Sequence, residues 1–252
     1  MNIIQILNTH ILSIRKRDLL ERLERGILFT PNVDHLVRLQ KDKDFYEAYK
    51  QANHIICDSV VLQRLTRLLS YKIIESIPGS TLFRDFCDFH REDEGCKIFI
   101  LGGNDGVPKQ AQRNINKRVG RELVVGAHSP SFQFVKDELE SLELVKMVNE
   151  SCATVLTVCA TSPKQEVWIA KYRHQLPHVK LFMALGATVD FEAGNVKRSP
   201  KVFQCLGLEW FWRFCQEPNR LFRRYFIDDV KFFWYFGQQL LGLYKNPFEK
   251  SV

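Results

Sequence analysis

Short apolar runs alternate with amphipathic stretches along most of the chain, and the two periods together predict an α/β fold. Gly26-Ile27-Leu28-Phe29 closes at Thr30-Pro31-Asn32, after which apolar residues recur at helical spacing over 33–40 and 44–52. His54-Ile55-Ile56-Cys57 is a second strand-like run; it ends at Asp58 and precedes a helical stretch over 60–69. Pro78-Gly79-Ser80 opens a further helix that runs through 82–90. Lys97-Ile98-Phe99-Ile100-Leu101 reads as a third strand and passes into Gly102-Gly103-Asn104-Asp105-Gly106, while Leu123-Val124-Val125 precedes Gly126. Two more runs, 154–158 and 180–184, lead into Thr161-Ser162-Pro163, with a helix from Lys164, and into Leu185-Gly186-Ala187. Strands that are apolar throughout and separated by helices predict a parallel, doubly wound sheet covered on both faces. In such sheets ligands bind beyond the carboxyl ends of the strands.

The composition fits that picture. The chain has 252 residues, 45% hydrophobic and 26% charged, which excludes a disordered chain or a fibre and suits one large domain with an appendage. The densest apolar run, Phe232-Phe233-Trp234-Tyr235-Phe236, is far shorter than the roughly 18 residues of a membrane span. The first residues, MNIIQILNTHILSIRKR, carry neither the basic start nor the cleavage site of a secretory leader. Seven cysteines without a CxxC pair suit a reducing cytoplasm rather than a disulfide framework or a zinc site.

The charge is uneven. Of a net +7, much lies between residues 195 and 225, where Lys197, Arg198, Lys201, Arg213, Arg220, Arg223 and Arg224 face only Glu209 and Glu217. Half of the 30 aromatic residues also lie beyond position 202. Basic residues interleaved with rings suit an anionic surface, nucleic acid or membrane, although a helix pair burying its rings in a core has the same composition. No nucleic-acid-binding motif accompanies the charge, so nucleic acid is the weaker partner.

Four polar clusters follow strand-like runs and so converge on one edge of the predicted sheet: Thr30 with Asn32, Asp58, the Gly102–Gly106 turn, and Ser162-Pro163-Lys164-Gln165-Glu166. Gly102 and Gly103 let backbone approach a ligand, although the turn is neither GxGxxG nor a Walker loop. Asp58 reads either as a helix N-cap or as a general base at a strand tip. Gln165 can donate to a sugar or phosphate oxygen. Cys57 reads as a strand-core residue. The histidines show no metal spacing, and Asp42-Lys43-Asp44 reads as a solvated face rather than a metal-binding DxD, so no metal or cofactor is expected. Pro218 starts a helix that puts Arg220, Arg223 and Arg224 at i, i+3 and i+4, a face whose self-repulsion a diphosphate would relieve; Arg213 lies one segment upstream.

These residues fall into an ordered set. Thr30-Pro31-Asn32, Asp58, Ser162-Pro163-Lys164-Gln165-Glu166 with Trp168, Asp190-Phe191 before Ala193-Gly194, Arg198-x-Pro200, Glu209-Trp210-x-x-Arg213 and Glu217-Pro218-x-Arg220-x-x-Arg223-Arg224-Tyr225 resemble the WecG/TagA/CpsF glycosyltransferase family over about residues 26–226. The resemblance implies a Rossmann-like core and a C-terminal appendage that closes the site and touches the membrane. It implies inverting, metal-independent transfer of an N-acetylmannosamine-type sugar, its uronate or a related hexosamine, from UDP to an undecaprenyl-diphosphate-linked acceptor in cell-surface polysaccharide synthesis. Carried over by position, Asp58 is the base, Thr30 and Asn32 touch the donor sugar, Gln165 lines the pocket, and Arg213, Arg220 and Arg223 neutralise diphosphate. Gly102, Gly103 and Asp190 join the substrate-binding set. Two places depart from the pattern: Ser76-Ile77-Pro78-Gly79-Ser80-Thr81 stands where the family has RxxGxD, lacking its Arg and Asp, and Thr161 stands where the family has a Gly before the Ser162-Pro163-Lys164-Gln165-Glu166 run. The expected organisation is a core over 1–198 and a basic, aromatic appendage over 199–252, cytoplasmic and peripheral on the inner face of the plasma membrane, with self-association left open. The rival expectation is a catalytically impaired, membrane-associated interaction protein of the same fold.

Overall fold

The computed structural model describes residues 2–196, 199–200, 203 and 208–249. Its centre is a six-stranded, all-parallel sheet in the order β4-β3-β8-β7-β5-β6. These strands are β3 (Gly26–Phe29), β4 (His54–Ile55), β5 (Ile98–Gly102), β6 (Val124–His128), β7 (Val155–Cys159) and β8 (Leu181–Ala184). Successive strand residues alternate between two hydrophobic cores, one on each face. Phe29, Leu101, Leu156 and Phe182 enter one; Leu28, Ile100, Val155 and Met183 enter the other. Burial on both faces is why the four central strands, β3, β8, β7 and β5, are almost wholly apolar.

Helices fill both layers. Those after β3 and β4 are α2 (Val33–Arg38), α3 (Lys43–Lys50), α4 (Val60–Leu65) and α5 (Gly79–Phe89); α1 (Lys16–Leu20) precedes them. Next come α6 (Val107–Val119), α7 (Glu138–Glu150), α8 (Lys164–Tyr172) and α9 (Thr188–Ala193). The doubly wound expectation is met, with boundaries moved by a few residues. Helix α4 gives way at Thr66 to a single 3-10 turn, and β4 covers only two of its four expected residues because Ile56 bridges instead to Leu12.

That bridge belongs to an element absent from the sequence expectation, an antiparallel hairpin of β1 (Asn2–Ile6) and β2 (Thr9–Ser13) beside the β4 edge. Its two-residue loop has no glycine: Leu7 itself takes φ 52°, a conformation costly for a side chain of this size. The Leu7 N–H is held at 2.8 Å by the Gln239 side-chain carbonyl, whose amide returns 2.9 Å to the Gln5 carbonyl. The far end of the chain thus fixes this turn.

The C-terminal region holds α10 (Glu209–Gln216), α11 (Pro218–Arg223), a π-helical turn over Arg224–Asp228, and α12 (Lys231–Leu240). Helix α12 packs one face on the core. Phe232 and Phe236, four apart on one face, are 0% and 3% exposed in the same core as Phe29 and Trp168. They are therefore unavailable to a bilayer, whereas Phe233 and Trp234 on the other face point outward. Arg198, part of one motif, lies outside the described residues.

Candidate functional site

The carboxyl ends of β3 and β4 are stitched together by the Asp58 N–H, which donates to the Pro31 carbonyl at 3.1 Å. Asp58 is not a helix cap: Ser59 caps α4, its hydroxyl accepting from the Leu62 N–H at 3.2 Å. The half-buried Asp58 carboxyl is thereby left for the site. Burial pushes its pKa up to about 7, opposed by the Arg213 guanidinium and the Gly79 N–H, and reinforced by the Glu209 carboxylate. The Gly79 contact comes from the first turn of α5, whose backbone donors favour an anion there. A side chain at Gly79 would crowd Leu185 at 3.2 Å and the Thr30 hydroxyl at 3.5 Å, so Thr30 sits against this turn, nearly buried.

Arg213 reaches this cluster from α10, with its guanidinium carbon 5.9 Å from the Phe191 ring of α9. Glu209, one turn earlier on α10, stands in the sequence motif with Arg213 but carried no role there; the i, i+4 spacing to Arg213 places it at the site. Asp58, Thr30, Gly79, Glu209 and Arg213 thus come together from β3, β4, α5 and α10.

Other expected residues have engagements within the protein. The Asn32 side chain caps α2, accepting from the His35 N–H at 3.3 Å. Gln165, 3% exposed, accepts from the Ala160 and Gly186 N–H groups at 3.3 and 2.9 Å and donates to Glu166 at 2.8 Å. It ties the tips of β7 and β8 together. Gly102 and Gly103 lie at the topological switch, where β5 leads outward to β6 and β7 leads back to β8. The approach they permit is to the chain itself: the Gly103 N–H donates to the Cys159 carbonyl at 3.0 Å, and a side chain at Gly103 would meet Val189 at 2.9 Å. Asp190, half-buried on α9, has its pKa raised by burial. Cys57 and Cys159, both buried, have thiols pushed up to about 12 by burial, which excludes them as thiolate nucleophiles near neutral pH.

The arginine face divides. Arg223 is exposed on α11 and the backbone of Arg220 is helical there, but its side chain lies outside what is described. Arg224, at the start of the π-helical turn, pairs with Asp34 of α2 at 3.4 Å; Arg38 reaches the same carboxylate at 3.8 Å. Behind α2 the His35 ring and Tyr49 hydroxyl are 2.7 Å apart in the core. Burial lowers the His35 pKa to about 3, so this imidazole stays neutral. Glu166, 1% exposed, is raised to about 7 by burial against the hydrogen bond from Gln165. Its motif was visible in the sequence but nothing there marked it as a neutralisable carboxyl.

Among the described residues no group of three or more His, Cys, Asp or Glu side chains could hold a metal ion, and Asp42 of the DxD caps α3 through the Phe45 N–H at 3.0 Å. No helix among them is long and apolar enough to cross a membrane. A family model described as the glycosyl transferase WecG/TagA/CpsF family matches residues 4–246, nearly the whole chain.

Proposed function

Given that the chain belongs to the WecG/TagA/CpsF glycosyltransferase family, we propose that it moves a hexosamine-type sugar from a UDP-linked donor to a polyprenyl-diphosphate-linked acceptor, with inversion and without a metal. The observation that carries this reading is Asp58, a half-buried carboxyl held near pKa 7 at a strand tip beside Arg213. A base with that pKa is partly ionised at neutral pH and strong enough to take a proton. In the proposed step the acceptor hydroxyl oxygen forms a bond to the anomeric carbon and its proton passes to Asp58. The bond from that carbon to the phosphate oxygen breaks, and UDP departs with the electron pair. Arg213 and Arg223, with Arg220, offset the charge gathering on the diphosphate, the role a metal fills elsewhere.

The carboxyl edge from β4 to β5 spans four strand spacings, about 19 Å, so a ligand can lie with its sugar at Asp58 and its far end toward Gly102 and Asp190. The outward rings of the C-terminal region, Phe211, Phe222, Phe226, Phe233 and Trp234, stand among Arg and Lys and support peripheral contact with an anionic inner membrane face.

Ser76 favours the second reading, an interaction protein with impaired catalysis. It stands where the family motif has Arg, and its hydroxyl is buried without a hydrogen-bond partner. Incubating purified protein with a panel of UDP-sugars and a lipid-linked acceptor tests the two. Sugar transfer with inverted stereochemistry is the expected result; neither transfer nor donor hydrolysis across the panel would establish the interaction protein.

A further inference from the structure

The segment 59–77 leaves the sheet at Asp58 and returns to the same point. Ser59 caps its first helix, the Ile77 N–H donates to the Cys57 carbonyl at 2.7 Å, and the Gly79 N–H meets the Asp58 carboxylate. Between these fixed ends the segment is a bonded lobe. The Ile73 N–H donates to the Thr66 hydroxyl at 3.1 Å and the Ile74 N–H to the Ser13 hydroxyl at 3.0 Å. The Gln63 amide reaches the Ile74 carbonyl at 2.9 Å, and Ile73 is buried in the core. This framework holds three large apolar side chains out in water: Leu68 and Tyr71 are each 64% exposed and Ile74 is 55% exposed. A shallow cavity of about 940 Å³ lies among Asn2, Arg67, Tyr71, Lys72 and Ile74.

Apolar side chains displayed together by a fixed backbone mark an interaction surface. The charge around them selects the partner. Arg64, Arg67 and Lys72 lie within the lobe, and its one acidic residue, Glu75, accepts from the Lys16 N–H at 2.8 Å. A second copy joined through the same patch would oppose cation to cation across a two-fold interface. An anionic lipid surface meets both demands, taking apolar tips at the headgroup boundary and attracting the cations around them.

We propose that the 59–77 lobe is a bilayer-docking tip, which seats Leu68, Tyr71 and Ile74 in an anionic lipid surface and thereby sets the position of Asp58 relative to it. The contact is separate from the outward rings of α10 to α12. Its catalytic meaning, presentation of the base to a membrane-borne acceptor, rests on the glycosyltransfer reading; the contact itself does not.

The test is Tyr71→Cys in a full-length chain with Cys152, Cys205 and Cys215 changed to Ser, labelled with an environment-sensitive fluorophore. The labelled protein is mixed with phosphatidylglycerol/phosphatidylcholine vesicles or with phosphatidylcholine vesicles alone, and sedimented in parallel. The expected result is a blue-shifted, brighter emission with the anionic vesicles only, reversed by salt, and a partition at least tenfold weaker in Arg67→Glu/Lys72→Glu. Three results would each overturn the proposal: water-like emission from protein that co-sediments, a blue shift without vesicles that grows with protein concentration, or no co-sedimentation. None of these readouts depends on sugar transfer, so failure of the docking tip and failure of the glycosyltransfer reading are separately visible.

Discussion

Asp58 is a carboxyl group that water would keep ionised and that this fold holds near half-ionisation. Asp58→Asn is nearly isosteric and removes no cap, so the protein should stay folded while turnover falls about 10²–10⁴-fold, the contribution of a positioned base. Activity should rise with pH through an inflection near 7, because the base works only when deprotonated. Arg213 favours the charged form and Glu209 opposes it, so Arg213→Ala should move the inflection up and Glu209→Gln should move it down. A pH–rate profile that is flat from 5 to 9 would remove Asp58 as the base. Asp58, Glu166 and Asp229 are all raised from the usual carboxylate range to about 7 by burial. Each therefore favours the folded state while protonated, and that stability is lost as pH rises through about 7. Melting temperature should fall between pH 6 and pH 8, less steeply in Asp58→Asn. Transfer should survive EDTA, since arginines rather than a metal are assigned to the diphosphate; loss on chelation with recovery on adding Mg²⁺ would reverse that assignment. The position of Asp58 at a strand tip was legible in the sequence, but its freedom from capping was not. An Asp and a Ser side by side both suit a helix start, and only the backbone decides between them.

The arginine helix shows what helical periodicity can and cannot place. Counting i, i+3 and i+4 from Arg220 puts three guanidiniums on one face, but the turn opens to π geometry at Arg224 and sends that side chain to Asp34. No Pro or Gly between 219 and 228 announces the change. Arg224 therefore acts here as a positioning residue that couples the arginine helix to α2, the helix that follows Thr30 and Asn32. In a double-mutant cycle, Asp34→Asn and Arg224→Met should show coupling on the order of 0.5–1 kcal/mol, modest because Arg224 is partly in water. Zero coupling, with transfer reduced in Arg224→Met alone, would return Arg224 to the substrate-facing set.

The parallel sheet was legible because burial on both faces writes an apolar run into each central strand, and each strand is followed by its own helix. The hairpin and α12 were not, since each is completed by residues at the other end of the chain. Leu7 tolerates φ 52° only with Gln239 beside it, and the rings of α12 look alike in sequence whether they face lipid or core. Phe232 has 0% exposure, so Phe232→Ala should cost about 3–5 kcal/mol by thermal or denaturant unfolding. A chain cut near Gly194 should expose the core face that Phe232 and Phe236 cover and bind a hydrophobic dye, rather than persist as a compact α/β unit. The bonds between Gln239 and the hairpin also order events in time. They join residues 232 positions apart, so at about 5–20 residues per second the ribosome makes the hairpin tens of seconds before its partner. During synthesis that earlier-made corner waits unfinished, and messages broken before the Gln239 codon should yield chains for the proteases rather than a compact protein.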